Sequence, residues 1–228
     1  VLLSLPANKI LEGIKRDALT IEAQVDNVYN SALAWEDLFK VVYNVYGIDD
    51  HINAGLETRH NIRYMKMFAD AFMYAAGNHI GIGYNSVAGL MTAKPVSMLP
   101  EGATSNNIFG WGIAHEVGHV LDKLGKAEIT NNIYSLMVQT FDGKNNTLPS
   151  RIETNDAYPK VFTHVSSGSE GLPNDGLLNL AMYWQLHLAY DDADKPFDFY
   201  NKLYKAYRAG TGLENFTEMN KFAVAASK

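Results

Sequence analysis

The chain has 228 residues, of which 47% are hydrophobic and 19% charged, and its formal net charge is −6. This composition is typical of a globular protein large enough to bury a core, and the acidic balance excludes the clustered basic surface that nucleic acids and anionic membranes require. The absence of cysteine excludes disulfide bonds, thiolate metal sites and cysteine nucleophiles, and no apolar run reaches the roughly 20 residues of a membrane span.

The N-terminal part of the chain is predicted to be helical. A short helix is predicted over residues 7–17, followed by a longer one from Thr20, a favourable N-cap, to about Tyr46. Apolar residues recur along the longer helix at roughly the spacing of a buried helical face. Gly47 is predicted to end this helix.

Residues 60–100 change character and are predicted to contain strands. The segments 61–68 and 79–84 both alternate, and the second carries Gly81 and Gly83 on one face. Glycine in a strand often marks the close approach of a ligand or another backbone. We therefore expect the segment 79–84 to be an edge strand that holds a substrate backbone, with Gly81, Gly83 and Tyr84 as contacts. The alternative is an internal strand packed under a helix.

Helices dominate from about residue 106 onward, which makes the predicted fold α+β, mostly helical, with a small sheet near the middle. The chain is predicted to be a single domain, with two lobes at about 1–125 and 126–228. Because it begins at Val1 and lacks an initiator methionine, we expect it to be excised from a larger multidomain protein. One of these helices is predicted to end at about residue 125, and the others are predicted over 129–141, 175–190, 196–208 and 213–226. Residues 143–174 are predicted to form a loop.

The segment Trp-Gly-Ile-Ala-His-Glu-Val-Gly-His, residues 111–119, contains the pattern His-Glu-x-x-His. His115 and His119 are four residues apart and therefore lie on one face of a helix, where two imidazoles can share one zinc ion. Glu116 is rotated about a quarter turn away, and its carboxylate can take a proton from a metal-bound water. The alternative is a chance match on a buried helix, but burying two histidines and a glutamate without partners is costly.

A zinc site needs a third ligand from the downstream sequence. The pattern of the metzincins would place glycine at position 122 and histidine at 125, where this chain has Asp122 and Gly125. The spacing of about 20 residues found in thermolysin-type enzymes falls on Gln139, a poor ligand. Glu128 lies just beyond Gly125, which permits a sharp reversal, and Asp122 and Asp142 are weaker candidates.

Several other residues are candidates for substrate contacts or for catalysis. Trp111 precedes His115 by one turn and can stack on a sugar, although a core position explains it as well. Asn131 or its neighbour can orient a ligand, bind substrate or cap a helix. Tyr183 and His187 are candidate oxyanion donors, and their helical spacing is equally consistent with burial.

The run 109–119, followed by Glu-Ile-Thr-Asn-Asn-Ile-Tyr-Ser at 128–135, resembles the enhancin-like metallopeptidases, metallopeptidase family sixty. The segments 79–85, 177–190 and 200–204 are similar to that family as well. The resemblance implies a zincin fold of the gluzincin type, in which a small mixed sheet lies next to the active-site helix. It also implies Zn2+ held by His115, His119 and Glu128, with Glu116 as the general base.

The resemblance further implies a substrate class and a location. It implies a secreted or cell-surface bacterial endopeptidase that cleaves O-glycosylated, mucin-like proteins, with carbohydrate-binding modules flanking the catalytic part. Two alternatives remain at the level of sequence. One is a zinc endopeptidase with no glycan requirement, and the other is a glycan-binding module with a vestigial metal site.

Overall fold

The computed structural model describes residues 1–48, 60–101, 103, 108–141, 149–169, 174–192, 194–195 and 197–209. Four strands are described: β1 (Leu2–Ser4), β2 (Asn61–Met65), β3 (Met73–Ala76) and β4 (His79–Gly83). The described helices are α1 (Ala7–Arg16), α2 (Ile21–Tyr46), α3 (Val87–Leu90), α4 (Trp111–Leu121), α5 (Asn132–Thr140), α6 (Arg151–Thr154), α7 (Ala157–Ser166), α8 (Gly176–Tyr190) and α9 (Asp198–Arg208).

The described strands form one mixed sheet in the order β1-β2-β4-β3. Strands β1, β2 and β4 are parallel, and β3 pairs with β4 in the antiparallel sense. Strand β4, the predicted segment 79–84, is therefore internal, and the prediction that it is an edge strand is wrong. The edge strands among those described are β1 and β3, and β3, the edge beside β4, was not predicted from the sequence.

The two glycines of β4 are also explained by this pairing and not by a ligand. A Cβ atom at Gly81 would lie 2.0 Å from the ring of Tyr74 on β3, and one at Gly83 would lie 3.3 Å from the carbonyl oxygen of Phe72. The close approach that the glycines indicated is thus made by the neighbouring strand. The proposed substrate contacts at Gly81 and Gly83 lose their basis.

Helix α2 forms as the sequence predicts. The side chain of Thr20 accepts a hydrogen bond from the backbone N–H of Ala23 at 3.1 Å, and Gly47 ends the helix in the left-handed conformation with φ 72°. Its second half is buried around Trp35 and Leu38, while Ile21 in the first turn is exposed. Helix α2 packs on α9 and on α5, and α5 in turn packs on the metal-binding helix α4.

The region predicted as a loop, 143–174, contains two helices, so this prediction is wrong. Helix α6 begins with a capping box in which Ser150 accepts from the backbone N–H of Glu153, and the Glu153 carboxylate accepts from the backbone N–H of Ser150. Helix α7 follows, with Pro159 in its first turn, where a missing N–H costs nothing. The predicted helix 213–226 lies outside the described residues.

The predicted fold class is confirmed: the protein is α+β, mostly helical, with a small mixed sheet beside the helix that carries the histidines. One cluster of buried apolar side chains joins α2, the sheet, α4, α5, α8 and α9. The division into two lobes near residue 125 stays a prediction. None of the described helices combines the length and the apolar composition needed to cross a membrane.

Candidate metal centre

Three side chains from α4 and the turn after it meet at one point. The Nε2 atoms of His115 and His119 are 3.0 Å apart. Glu128 Oε2 lies 3.2 Å from His115 Nε2, and Glu128 Oε1 lies 3.2 Å from His119 Nε2. Among the described residues, these three form the group of histidine and carboxylate ligands whose atoms lie close enough to share a metal ion.

The geometry of the three donors fits a zinc ion. Ligand atoms that share one tetrahedral zinc at about 2.0–2.1 Å are separated from one another by about 3.3 Å. The two Nε2 atoms are 3.0 Å apart, and each lies 3.2 Å from a different oxygen of the Glu128 carboxylate, so each separation is close to that value. Two imidazole nitrogens and one carboxylate are also a common donor set of catalytic zinc sites.

The turn between the second histidine and Glu128 is tight. Helix α4 ends at Leu121, four residues before the predicted end, because Asp122 adopts an extended conformation. Gly125 then takes φ +78°, and Glu128 itself takes φ +64°, a left-handed conformation that is unfavourable for a residue with a side chain. The chain thereby reverses, and the Glu128 carboxylate reaches the histidines.

Asp122 stabilises this turn and does not join the metal-binding group. Its Oδ1 atom accepts from the backbone N–H of Leu124 at 3.0 Å and from the hydroxyl of Tyr204 at 3.0 Å. Its Oδ2 atom accepts from the hydroxyl of Thr130 at 2.6 Å. Asp142, another candidate third ligand, lies outside the described residues.

Gly118 allows the turn to lie close to α4. A Cβ atom at this position would come within 2.2 Å of the backbone oxygen of Asn131. The glycine in His-Glu-x-Gly-His therefore has a packing role: it lets the chain that carries Glu128 approach the helix that carries both histidines.

Glu116 lies at the base of a cleft and is only 9% exposed. Burial raises the pKa of its carboxyl above the ordinary value, while His115 and His119 lower it and Glu128 adds a smaller upward shift. A raised pKa favours a group that must both accept and return a proton near neutral pH. Strand β3 and Gly77 form the wall of the cleft that faces α4.

Tyr84, Trp111 and Asn131, the predicted substrate contacts, are not among the residues that line this cleft. Tyr84 lies in a 3-10 turn beside a separate pocket between α1 and α2. The guanidinium of Arg151 covers the ring of Trp111 at 4.5 Å from its centre, so that face is not open to a sugar. Asn131 is fully buried, with its Nδ2 atom 3.3 Å from His119 Nε2.

The two predicted oxyanion donors also lie away from the cleft that the described residues form. Tyr183 is 4% exposed, and its carbonyl oxygen accepts from the hydroxyl of Tyr200 at 2.7 Å. His187 Nδ1 contacts Asp191 Oδ2 at 2.5 Å, and its ring packs on Trp184. Neither residue lines the cleft, so burial within α8 explains their helical spacing.

Strand β3, which lines the cleft, was not predicted, although the sequence contains a signal for it. Strands β3 and β4 are joined by Gly77 and Asn78, and Gly-Asn between two apolar runs is a typical hairpin turn. Because this hairpin places β4 inside the sheet, it turns the free edge of β3 towards the metal-binding residues.

The chain is similar to known metallopeptidases. The family model described as peptidase M60, enhancin and enhancin-like, matches residues 19–228. No curated protein matches the chain. Among solved structures, the ZmpB metallopeptidase from Clostridium perfringens has a TM-score of 0.65 at 23% identity, covering 98% of this chain and 41% of that one.

Two further structures are similar. The M60 catalytic domain of ZmpC from Clostridium perfringens, in complex with the sialyl T antigen, has a TM-score of 0.62 at 23% identity and covers 97% of this chain and 40% of that one. The M60 catalytic domain with the CBM51-1 and CBM51-2 domains of ZmpB from the same organism has a TM-score of 0.64 at 23% identity, with 98% and 22% covered.

This chain thus spans about two fifths or less of each of these proteins. At such identities the structural matches show a shared fold, and the family model covers nearly all of the chain. On the evidence of that match, the chain belongs to the peptidase M60, enhancin and enhancin-like family.

Proposed function

We propose that the chain contains the active site of a zinc-dependent endopeptidase, with zinc held by His115, His119 and Glu128. The observation that carries the proposal is the meeting of two imidazole nitrogens, 3.0 Å apart, with a carboxylate whose two oxygens each lie 3.2 Å from one of them, beside Glu116. Membership of a peptidase family supports the same function.

Each residue of the site has a distinct task in peptide hydrolysis. When bound, zinc supplies a Lewis acid that polarises a carbonyl group and lowers the pKa of water to about 7. Glu116 accepts the proton of the attacking water and then donates it to the nitrogen of the leaving amine. Burial raises the pKa of Glu116 above its ordinary value, and this shift favours a carboxyl that holds the proton until it is passed on.

Strand β3 is the surface that we propose for the substrate backbone. Phe72 and Gly83 pair through a hydrogen bond from the Gly83 N–H to the Phe72 carbonyl at 3.0 Å. Because hydrogen-bonded pairs alternate along an antiparallel ladder, the backbone groups of Met73 and Ala75 point away from β4. An extended peptide can add to this edge beside Glu116 and the metal ligands.

We infer that the substrates are O-glycosylated, mucin-like proteins and that the protein acts outside the cell or on its surface. Support comes from the relatives: a structure of one includes the sialyl T antigen, and that of another includes CBM51 domains next to its catalytic domain. The same comparison suggests flanking carbohydrate-binding modules in the parent protein.

A matched pair of peptides tests both parts of the proposal. One peptide carries a single O-linked glycan on a threonine, and the other has the same sequence without it. We expect zinc-loaded protein to cleave the glycopeptide at one bond, with products identified by mass spectrometry. Removal of the metal with a chelator should abolish cleavage, and zinc should restore it.

The variant Glu116→Gln is the control for chemistry. Since the amide cannot accept the proton of water, cleavage should fall by about 10²–10⁴-fold, while zinc content stays at the wild-type level. Equal cleavage of both peptides would indicate an endopeptidase without a glycan requirement. Binding of the glycopeptide without cleavage, unchanged in Glu116→Gln, would indicate a glycan-binding module and contradict the proposed activity.

A further inference from the structure

We propose that Asn132 is a positioning residue for the metal site: its side-chain amide holds the His115 imidazole in one tautomer and fixes the backbone of Glu128. This inference rests on the proposed function, because it concerns two of the three residues that we assign to the metal. Asn132 is the first residue of α5 and is 6% exposed.

The amide of Asn132 lies between the two ligands. Its Oδ1 atom is 2.7 Å from His115 Nδ1, and its Nδ2 atom donates to the backbone oxygen of Glu128 at 2.8 Å. Ser135 Oγ lies 3.1 Å from the backbone oxygen of Trp111 and 3.4 Å from Asn132 Oδ1, and its single proton can be donated to either. The amide is therefore held from both helices, α4 and α5.

These partners determine which way the amide faces. The carbonyl oxygen of Glu128 can only accept a hydrogen bond, so the Asn132 NH₂ group must face it. The opposite side of the amide, Oδ1, then faces His115 Nδ1 and can only accept. His115 must therefore carry its proton on Nδ1, since an oxygen and an unprotonated nitrogen at 2.7 Å would repel each other.

This tautomer leaves the lone pair of His115 Nε2 free, and Nε2 is the atom that points at His119 and Glu128. A second amide does not change the result. Asn131 Nδ2 lies 3.2 Å from His115 Nδ1, but a protonated Nδ1 cannot accept a hydrogen, and the same Nδ2 reaches the backbone oxygen of His115 at 3.4 Å.

The second bond of Asn132 acts on a strained part of the chain. Glu128 has φ +64°, a conformation that is unfavourable for a residue with a Cβ atom. The bond from Asn132 Nδ2 holds its carbonyl group in place, and the carboxylate of the same residue faces the histidines. An aspartate at position 132 could still accept from His115, but its other oxygen would face the Glu128 carbonyl.

The test compares the variants Asn132→Ala, Asn132→Asp and Asn179→Ala with the wild-type chain. Asn179 on α8 is a matched control because it is 7% exposed and also donates its Nδ2 to the carbonyl oxygen four residues earlier, that of Asp175, at 3.0 Å. It lies outside the metal cleft. Zinc affinity is measured by competition with a chromophoric chelator, and the His115 tautomer by nitrogen-15 NMR of metal-free protein above its titration range.

We expect Asn132→Ala to lower zinc affinity by about 10–100-fold and to move the proton of His115 from Nδ1 towards Nε2. Asn132→Asp should keep the Nδ1–H tautomer, because it keeps the acceptor, and Asn179→Ala should match the wild type in both measurements. A general loss of packing would weaken zinc binding in the control variant as well, and that result would overturn the inference.

Two other outcomes separate this inference from the proposed function. If wild-type protein binds zinc and Asn132→Ala binds it equally well with the same tautomer, the role of Asn132 is wrong and the peptidase proposal stands. If wild-type protein binds no zinc, the peptidase proposal fails. The tautomer measurement, which needs no metal, then decides alone whether Asn132 sets the proton of His115.

Discussion

Glu128 combines a strained backbone with a role that we assign to its side chain. It is one of four described non-glycine residues with positive φ, and it carries a carboxylate that lies 3.2 Å from both histidines. A left-handed conformation costs a residue with a Cβ atom about 1–2 kcal/mol. Such strain persists where the surrounding structure enforces it, which is common at functional sites.

A pair of variants at this position separates backbone strain from metal binding. Glu128→Ala and Glu128→Gly both remove the carboxylate, so both should lose most of the affinity for zinc. Glycine relieves the strain at φ +64°, and we expect metal-free Glu128→Gly to exceed Glu128→Ala by about 1 kcal/mol in the free energy of unfolding. Denaturant unfolding of the two variants measures this difference.

The reverse order of stability, or equal stability, would show that the turn relaxes and that Glu128 is not strained in solution. A wild-type affinity for zinc in either variant would contradict the assignment of Glu128 as a ligand. The comparison needs both variants, because the loss of the carboxylate alone changes the interactions of two histidines.

Residue spacing predicted part of the site. His115 and His119 follow from helical geometry, and Glu128 was the best candidate because Gly125 permits a reversal. Spacing along α8 could not locate Tyr183 or His187 relative to the cleft, because a buried helical face and a catalytic face have the same period. Which face is open depends on how α5, α6, α7 and α9 pack against α8, and the sequence of α8 alone does not contain this information.

At the scale of elements, the site depends on the contact between α4 and the turn before α5. A Cβ atom added at Gly118 would lie only 2.2 Å from the backbone oxygen of Asn131, so a side chain at this position would clash with that oxygen. The obstruction is backbone, so it cannot move aside as the end of a flexible side chain could. The turn and the helix must separate before any larger residue fits.

Gly118→Ala should therefore damage both stability and metal binding. We expect a loss of about 1–3 kcal/mol in the free energy of unfolding, the usual cost of overpacking, together with weaker zinc binding as Glu128 moves away from the histidines. Thermal or denaturant unfolding, followed by zinc titration, measures the two effects. If the variant keeps wild-type stability, the close packing of α4 against this turn is not as described.

Gly89→Ala is the matched control for this substitution. Gly89 also lies in a helix, α3, and an added Cβ atom would meet no other atom within 4 Å. Alanine is the better helix former by about 1 kcal/mol, so we expect the control to be as stable as the wild type or slightly more stable. Zinc affinity should not change.

Local sequence signals predicted some elements and failed at others for identifiable reasons. The cap and end of α2 were recognised because Thr20 and Gly47 bracket a long periodic run. Helices α6 and α7 were missed because polar residues and glycines surround them, although the capping box of Ser150 and Glu153 was present in the sequence. The position of β4 inside the sheet depends on pairing with β1, β2 and β3, which no local pattern contains.

On the scale of the whole molecule, buried tyrosines link helices that are distant in the sequence. The hydroxyl of Tyr204 on α9 donates to Asp122, and its ring packs on Tyr46 of α2 and Tyr134 of α5. The hydroxyl of Tyr200 donates to the carbonyl of Tyr183. Burial raises the pKa of Tyr134, Tyr200 and Tyr204 well above the ordinary value.

This arrangement predicts a steep loss of stability at alkaline pH. In the unfolded chain these phenols ionise near their ordinary pKa of about 10, whereas in the folded protein they keep their protons to higher pH. The unfolded state therefore holds fewer protons above pH 10, and the free energy of unfolding falls as the pH rises. Each phenol contributes a slope of up to about 1.4 kcal/mol per pH unit.

Urea unfolding at several values between pH 9 and pH 11.5 measures this slope, and tyrosinate absorbance reports ionisation in the same samples. Below pH 9 these three phenols should not change the free energy of unfolding. Above pH 10 the free energy of unfolding should decrease. Ionisation of all tyrosines near pH 10 in folded protein would contradict the burial of Tyr134, Tyr200 and Tyr204.

The bond between Tyr204 and Asp122 spans 82 residues, and it has a consequence for how the protein is made. A ribosome synthesises His115, His119 and Glu128 well before it reaches α9, so the nascent chain holds all three side chains while the turn between them still lacks its tether. The hydrogen bond from Tyr204 to Asp122 can form only after α9 has emerged and docked. Synthesis therefore orders these events: the metal-binding residues are made first, and the hydrogen bond that holds the turn between them forms later.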